Sequence, residues 1–248
     1  MKPRPLFALP FAIRKAVPRA FQASALAATA LLGGCATGPN ANPADPLEPM
    51  NRQVARFNDT VDDAVLRPAA TVYRKVLPSP VRTGVNNFFG NLSDVWSFVN
   101  SVAQLKMQNS AQTFMRVNVN TVFGLGGLLD IASEAGIDRH SEDFGQTLGH
   151  WGVPSGPYLM LPLLGPSTVR DTAALTVDYR GDMLRYINDI PVRNSLYALR
   201  VIDVRANLLR VGQLLDDAAL DKYSFTRDAF LQRRRNEVYD GNLPNDGN

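Results

Sequence analysis

From Gly145 to Val169 the chain runs for 25 residues without an Asp, Glu, Lys or Arg, and His150 is the only side chain there that titrates near neutral pH. Pro154, Pro157, Pro162 and Pro166 interrupt the stretch, and Gly145, Gly149, Gly152, Gly156 and Gly165 loosen it. Proline lacks a backbone donor and glycine is entropically costly in a helix, so no single long helix fits. An uncharged, broken, aromatic-bearing segment has two natural homes. One is the core of a domain, as a buried loop. The other is the boundary between protein and lipid, where Trp151 and Tyr158 suit the interface. On the second reading Trp151, Pro154, Pro157, Tyr158, Leu159, Leu161 and Pro162 form a membrane rim.

The N-terminus points to lipid as well. Lys2, Arg4, Arg14, Lys15 and Arg19 make a positive region, followed by an apolar run from Ala20 to Leu32. That run is too short and too rich in small residues to span a bilayer comfortably. Leu32-Gly33-Gly34-Cys35 closes it, and Cys35 is the single cysteine of the chain. The arrangement resembles a lipoprotein signal: residues 1–34 are removed and Cys35 carries a diacylglycerol and an N-acyl group. The competing readings are an uncleaved anchor or an ordinary signal peptide with a chance cysteine. Each buried methylene contributes about 0.8 kcal/mol, so two or more acyl chains hold a protein firmly. Ala36 follows the cysteine; aspartate there marks inner-membrane retention, and its absence resembles the outer-membrane class.

Without residues 1–34, the remaining 214 residues carry 21 Lys and Arg against 23 Asp and Glu. A slightly acidic body excludes a nucleic-acid-binding balance. Residues 35–48 are small, polar and proline-bearing and read as an acylated tether. A folded body is expected over 49–239, and residues 240–248 are expected to be disordered.

Helical periodicity dominates that body. Met50, Val54, Phe57, Val61 and Val65 mark a first helix, broken at Pro68 and resuming through Val76. Val85, Phe88, Leu92, Val95, Val99 and Val102 mark a second, with Phe89 and Trp96 widening the stripe. Further helices are expected over 111–123, 168–188, 192–215 and 226–238. In 192–215 the row Tyr197, Val201, Val204, Leu208, Val211 and Leu215 lies opposite Arg193, Arg200, Asp203, Asn207 and Arg210. Hairpin signals, βαβ spacing and repeats are not evident. The expected class is all-α, a single helical domain.

Two polar features add detail. Gly124, Gly126 and Gly127 lie in an uncharged stretch and suit a hinge or a close backbone approach. Asp171, Asp178, Asp182 and Arg185, spaced 7, 4 and 3, share one stripe if 168–188 is a single helix. The stripe is either a polar path for a head group or a solvated face. His140 and His150 are the only histidines and match no metal spacing, and no nucleophile elbow is present. No catalytic residue, metal or cofactor is expected beyond the acyl groups on Cys35.

The residues from Asp45-Pro46-Leu47-Glu48 through Asn51-Arg52, Phe57-Asn58 and Arg67-Pro68 resemble the opening of the MlaA (VacJ) family of outer-membrane lipoproteins. Pro80, Arg82, Gly84, Asn87-Phe88, Asn91-Leu92, Asn120-Thr121, Gly124, Gly126-Gly127 and Asp130 continue the likeness. Its strongest block is Phe144 to Gly149, Gly152-Val153, Gly156-Pro157-Tyr158, Leu161-Pro162, Gly165-Pro166-Ser167 and Arg170-Asp171. The resemblance implies a ring-like, all-α protein in the inner leaflet of the outer membrane, lipid-anchored on the periplasmic side. It implies association with a trimeric porin and transfer of mislocalised phospholipid to a soluble periplasmic carrier. On this basis Gly124, Gly126, Gly127, Phe57 and Asn58 are candidates for a gate, and Asp171, Asp178, Asp182 and Arg185 for a channel lining. Two other functions compete: a non-transporting lipoprotein that clamps a porin, and a periplasmic lipid hydrolase.

Overall fold

The computed structural model describes residue 42 and residues 45–243; the expected signal peptide, Cys35, most of the tether and residues 244–248 lie outside these. The described chain is all-α with one small hairpin. Helix α1 (Glu48–Val61) runs through a π-helical turn (Asp62–Leu66) into α2 (Arg67–Val76). The break expected at Pro68 is therefore a bulge. Proline has no N–H to give, and the ladder widens just before it, Arg67 N donating to the carbonyl of Asp62 five residues back.

Helix α3 (Ser79–Ala103) carries Pro80 in its first turn, and a tight turn with Leu105 at φ 58° leads into α4 (Met107–Val122). Two short helices missed in the sequence follow, α5 (Ile131–Glu134) and α6 (Phe144–His150), each N-capped by an aspartate, Asp130 and Asp143. Strands β1 (Tyr158–Leu161) and β2 (Gly165–Thr168) pair antiparallel, Leu161 opposite Gly165. Thr168 caps α7 (Val169–Gly181), Asp189 caps α8 (Ile190–Ala218), and Asp221 caps α9 (Lys222–Val238). Such caps contribute about 1 kcal/mol each by satisfying first-turn N–H groups.

The hairpin corrects the purely helical expectation. A three-residue connection, Pro162-Leu163-Leu164, closes it, with Leu163 at φ 63° and Gly165 at φ 83°. A short apolar run followed by such a glycine is a recognisable hairpin signal. The single helix expected over 168–188 is also corrected. It stops at Gly181, where an added Cβ would lie 2.1 Å from the Trp96 ring, and Asp182 then caps a 3-10 turn (Met183–Tyr186).

Packing is distributed. Helices α3 and α4 lie against each other, α2 against α8, α6 against α7, and the hairpin against α1 and α9. Apolar cores are small: Ala70, Tyr73, Ala206 and Leu209 between α2 and α8, and Tyr158, Met160 and Tyr223 beneath the hairpin. The ends are tied in. Asp45, expected in the tether, is 1% exposed, and Asp240, expected in the disordered tail, holds Lys106 Nζ at 2.8 Å.

Gly181→Ala should force the Trp96 ring aside and lower stability by about 1–3 kcal/mol. Urea unfolding followed by tryptophan emission measures this; an unchanged midpoint would show that the ring moves freely.

Candidate functional site

Helices of a water-soluble domain turn their apolar face inward. The long helices here do the reverse. On α3 the buried residues are Phe89, Asn91, Asp94, Ser97, Asn100 and Ser101, followed by buried Gln104 at its C-cap, while Val99 and Val102 are exposed. Facing it, α4 buries Ser110, Thr113, Arg116 and Asn120 and exposes Met107, Phe114, Met115 and Val122. On α8 Asp203, Ala206 and Leu209 are buried, and the apolar row Val201, Val204, Leu208 and Val211 stays 48–59% exposed. Among the described residues 22 buried side chains are polar or charged and 12 are apolar, so polar groups dominate the interior. An apolar exterior of this extent is a mark of a lipid or protein contact, since water penalises it at about 25 cal/mol per Å².

The buried polar groups form bonded networks. Arg116, 2% exposed, donates to both carboxylate oxygens of Asp130 at 2.9 and 3.0 Å and to the carbonyl of Ile137 at 2.6 Å. Asn120 and Ser133 also donate to Asp130. Burial works against ionisation of Asp130, but these donors outweigh it and bring its pKa down to about 2. For Asp94 burial wins over Arg139 and Arg116, and its pKa is raised. Further along α3, Gln104 donates to Glu142 at 2.9 Å and Thr147 donates to Asn100 at 2.8 Å. Asn91 Oδ1, Ser101 Oγ, Gln104 Oε1 and Thr113 Oγ1, all on these facing rows, meet no hydrogen-bond partner among the described residues.

The uncharged segment divides in two. Trp151, Pro154, Pro157 and Pro162 are exposed, as is the hairpin tip with Leu163 at 65% and Leu164 at 71%. Leu159 and Leu161 are half-buried. Tyr158, expected at an interface, is fully buried, edge-on to Tyr223 and Phe230. Strand alternation decides this: Tyr158 and Met160 share the inward side of β1. Helix α1 holds the hairpin through two asparagines one heptad apart. Asn51 donates to Tyr158 O (3.1 Å) and accepts from Met160 N (2.9 Å). Asn58 donates to Leu161 O (2.9 Å) and accepts from Leu163 N (2.8 Å). Each side-chain amide thus imitates a paired strand. Phe57, beside Asn58, is 51% exposed.

The expected acidic stripe is not a single stripe. Asp171 is buried between Arg170 Nη2 (2.9 Å) and Arg234 Nε (3.0 Å); burial would raise its pKa, and Arg234 overrides this and lowers it. Asp178 accepts from Trp96 Nε1 and Phe144 N, both at 2.8 Å, and burial leaves its pKa raised. Asp182 pairs with Arg200 at 2.7 Å, and Arg185 stacks over Tyr179. Asp178, Asp182, Trp96 and Arg200 line a cavity of about 260 Å³, from which Asp171 and Arg185 are absent. Asp171 is instead drawn to Arg170 and Arg234, and Arg185 to the Tyr179 ring. A larger cavity, about 580 Å³, lies between Gly149–Gly156 and α9, with Arg170, Arg234 and Val153 on its wall.

The glycines of the expected hinge are the turn that ends α4. Gly126 (φ 73°) donates to Thr121 O and Gly127 (φ 92°) to Asn120 O, and a Cβ on Gly127 would lie 2.7 Å from Asn91. A Cβ on Gly124 would sit 2.2 Å from Leu129 O. His140 shares a 2.6 Å hydrogen bond with Gln112, and His150 stands edge-on to Trp151.

A family model described as MlaA lipoprotein matches residues 43–237. The Escherichia coli protein named intermembrane phospholipid transport system lipoprotein MlaA is 36% identical over 217 residues, which cover 85% of this chain and 86% of that one. The Haemophilus influenzae protein of the same name is 34% identical over 230 residues, 89% of this chain and 91% of its own. A solved structure described as "Structural basis for maintenance of bacterial outer membrane lipid asymmetry" superposes with a TM-score of 0.69 at 36% identity, covering 78% of this chain and 98% of that chain.

The chain belongs to the MlaA lipoprotein family.

The match to the MlaA family model begins before α1 and ends one residue short of the end of α9, so it takes in the inverted helices, the hairpin and both asparagine clamps. Periodicity located the rows of α3 and α8 but not their direction. The clamp at Asn51 was quoted in the family likeness without a role, and no spacing rule identifies an amide that pairs with a strand.

Removing Asn51 as Asn51→Ala takes a buried partner from Asp45 Oδ1, Tyr158 O and Met160 N and should cost about 3 kcal/mol, whereas Asn58→Ala should cost about 1 kcal/mol and speed amide exchange at Leu163. Exchange rates that stay equal in the Asn58 variant would contradict the clamp. Because the Asp130 pKa is depressed from its ordinary 3.8 to about 2, its stabilising share is complete above 3.8 and vanishes as pH falls through about 2. The stability gap between the protein and its Asp130→Asn variant should therefore shrink from about pH 5 to about pH 2 in denaturant titrations.

Proposed function

We propose that this MlaA-family protein works in the outer membrane, held there by acyl chains on Cys35, and moves mislocalised phospholipid from the outer leaflet through an amphipathic channel to a soluble periplasmic carrier. It lies ring-like in the inner leaflet beside a trimeric porin. The observation that carries this reading is the reversal of α3, α4 and α8, whose apolar sides face outward. Among the described residues no helix is long and apolar enough to cross a membrane, so those sides meet hydrocarbon or a partner from within one leaflet.

The chemistry of the cargo explains the polar interior. A phospholipid head group cannot leave water for hydrocarbon cheaply. Buried asparagine, glutamine, serine and threonine side chains offer it hydrogen bonds on the way while the acyl tails stay outside. The names of the relatives, phospholipid transport, and of the solved structure, lipid asymmetry, support the same reading. The exposed hairpin tip and Trp151 are the rim on this reading, and the Asn58 clamp sets the position of that rim. Asp178 and Asp182 face the head-group path, while Asp171 serves the scaffold. No bond is made or broken in such a transfer, so on this reading the protein acts as a channel without catalysis; the free energy comes from an ATP-hydrolysing complex elsewhere.

Cells lacking the protein should accumulate phospholipid in the outer leaflet, measured by amine-reactive labelling of intact cells, and the intact gene should reverse it. Unchanged labelling would leave the porin clamp as the function. Val204→Asp combined with Leu208→Asp should leave soluble unfolding behaviour nearly unaltered, since both side chains are exposed, yet should prevent rescue.

A further inference from the structure

The cavity of about 260 Å³ beside α7 carries four carboxylates on its wall, Glu142, Asp143, Asp178 and Asp182, and one cation, Arg200. Three of the four are matched. Lys106 holds Glu142 at 2.9 Å, Arg234 holds Asp143 at 2.6 Å and Arg200 holds Asp182 at 2.7 Å. Asp178 is not. Among the described residues no lysine or arginine pairs with it, and its two hydrogen bonds, from Trp96 Nε1 and Phe144 N, both end on Oδ1. Those bonds account for a carboxylate at this place, since they fix the Trp96 ring and satisfy an N–H in the first turn of α6. They leave Oδ2 of a half-buried group with neither a donor nor a counter-ion, and burial already disfavours its charge.

The opposite need stands beside Asp182. The Tyr197 hydroxyl is closed to solvent and meets no hydrogen-bond partner among the described residues. Arg200 stacks over the Tyr197 ring, spends both Nη atoms on Asp182 and makes no hydrogen bond through Nε. Donors are thus missing at Asp178, and an acceptor is missing at Tyr197 and Arg200. A small cation answers only the first need and a simple anion only the second. A zwitterion answers both, with N–H groups of a primary ammonium for the carboxylate and an anionic oxygen for the hydroxyl and the guanidinium. The Trp96 ring, also on the wall, attracts the same ammonium.

We propose that this cavity recognises the head group of an ethanolamine-type phospholipid, its ammonium donating to Asp178 Oδ2 and its phosphodiester accepting from Arg200 Nε and the Tyr197 hydroxyl. The proposal rests on the reading of the protein as a phospholipid channel and names the class of cargo that the channel prefers. A head group without an amine brings only its phosphate to a wall of four carboxylates. A choline head group brings a cation with no N–H to give.

The test uses the full chain purified in detergent and offered short-chain phosphatidylethanolamine and phosphatidylglycerol, with retained lipid read by native mass spectrometry. Phosphatidylethanolamine should be retained about tenfold more tightly, the worth of one charge-assisted hydrogen bond. Glycerophosphoethanolamine, the same head group without acyl chains, should displace it, and glycerophosphoglycerol should not. Asp178→Asn should weaken retention of phosphatidylethanolamine about tenfold, to the level of phosphatidylglycerol. It should not lower the unfolding midpoint, because it removes a charge that burial disfavours. A lowered midpoint with the preference intact would make Asp178 structural and overturn the site. Equal retention of the two lipids by the unaltered protein overturns it as well. Tighter binding of glycerophosphoethanolamine than of the lipid overturns the assignment to a lipid, since the cavity would then serve a soluble amine. If Asp178→Asn does not fold, Tyr197→Phe decides: retention of phosphatidylethanolamine should fall at an unchanged midpoint, and unaltered retention overturns the proposal. An unchanged outer leaflet in cells without the protein removes the transport reading and leaves the purified-protein result standing.

Discussion

A carboxylate removed from water must find a cation or a set of N–H and O–H donors, and among the described residues five are buried: Glu142, which receives Gln104 and Lys106, and four that each join separate elements. Asp45 receives Asn51, Tyr223 and Arg227, joining the start of the body to α1 and α9. Asp94 receives Arg139 at 2.8 Å and has Arg116 at 3.8 Å, joining α3 to α4 and to the loop before α6. Asp171 receives Arg170 and Arg234, joining α7 to α9. Asp203 receives Tyr73, Asn86 and Asn207, joining α8 to α2 and α3. Removing one partner of such a buried pair costs about 3–5 kcal/mol, although replacing a whole pair by apolar groups can be neutral. Charged interiors of this kind therefore define which elements meet more than they add to stability.

The same requirement frees the outside. With the polar rows of α3 and α4 turned toward each other, many apolar side chains of those helices are left exposed, and only an apolar surrounding removes their contact with water. The two small apolar cores, at Ala70–Leu209 and Tyr158–Tyr223, pin helices locally without drawing the valines of α8 inward. Outward apolar side chains and a polar interior are then two sides of one arrangement of the buried polar groups.

Helix positions were legible because periodicity needs only local spacing. The row Val85 to Val102 located α3, and the row Tyr197 to Leu215 located α8. The direction of each row was not legible, because an amphipathic helix reads the same whether its apolar side faces a core or a membrane. The acidic stripe failed for a different reason. Asp171 and Asp182 share a spacing, but the helix ends at Gly181, where the Trp96 ring takes the space of a side chain. The hairpin was obscured because the proline-rich block pointed to irregular structure, although Tyr158-Leu159-Met160-Leu161 before Gly165 carried a strand signal.

The amino-acid order alone determined the helical class, the uncharged block at 145–169 and the family likeness, since each is written in adjacent or periodically spaced residues. Only the tertiary structure decided which faces turn inward, which carboxylates are spent on guanidinium groups, and that Asn51 and Asn58 act as strand partners. Those outcomes depend on groups well separated in the chain, 45 residues for Asp94 and Arg139 and 107 for Asn51 and Tyr158, and distance in space is the one quantity that spacing along a chain does not carry.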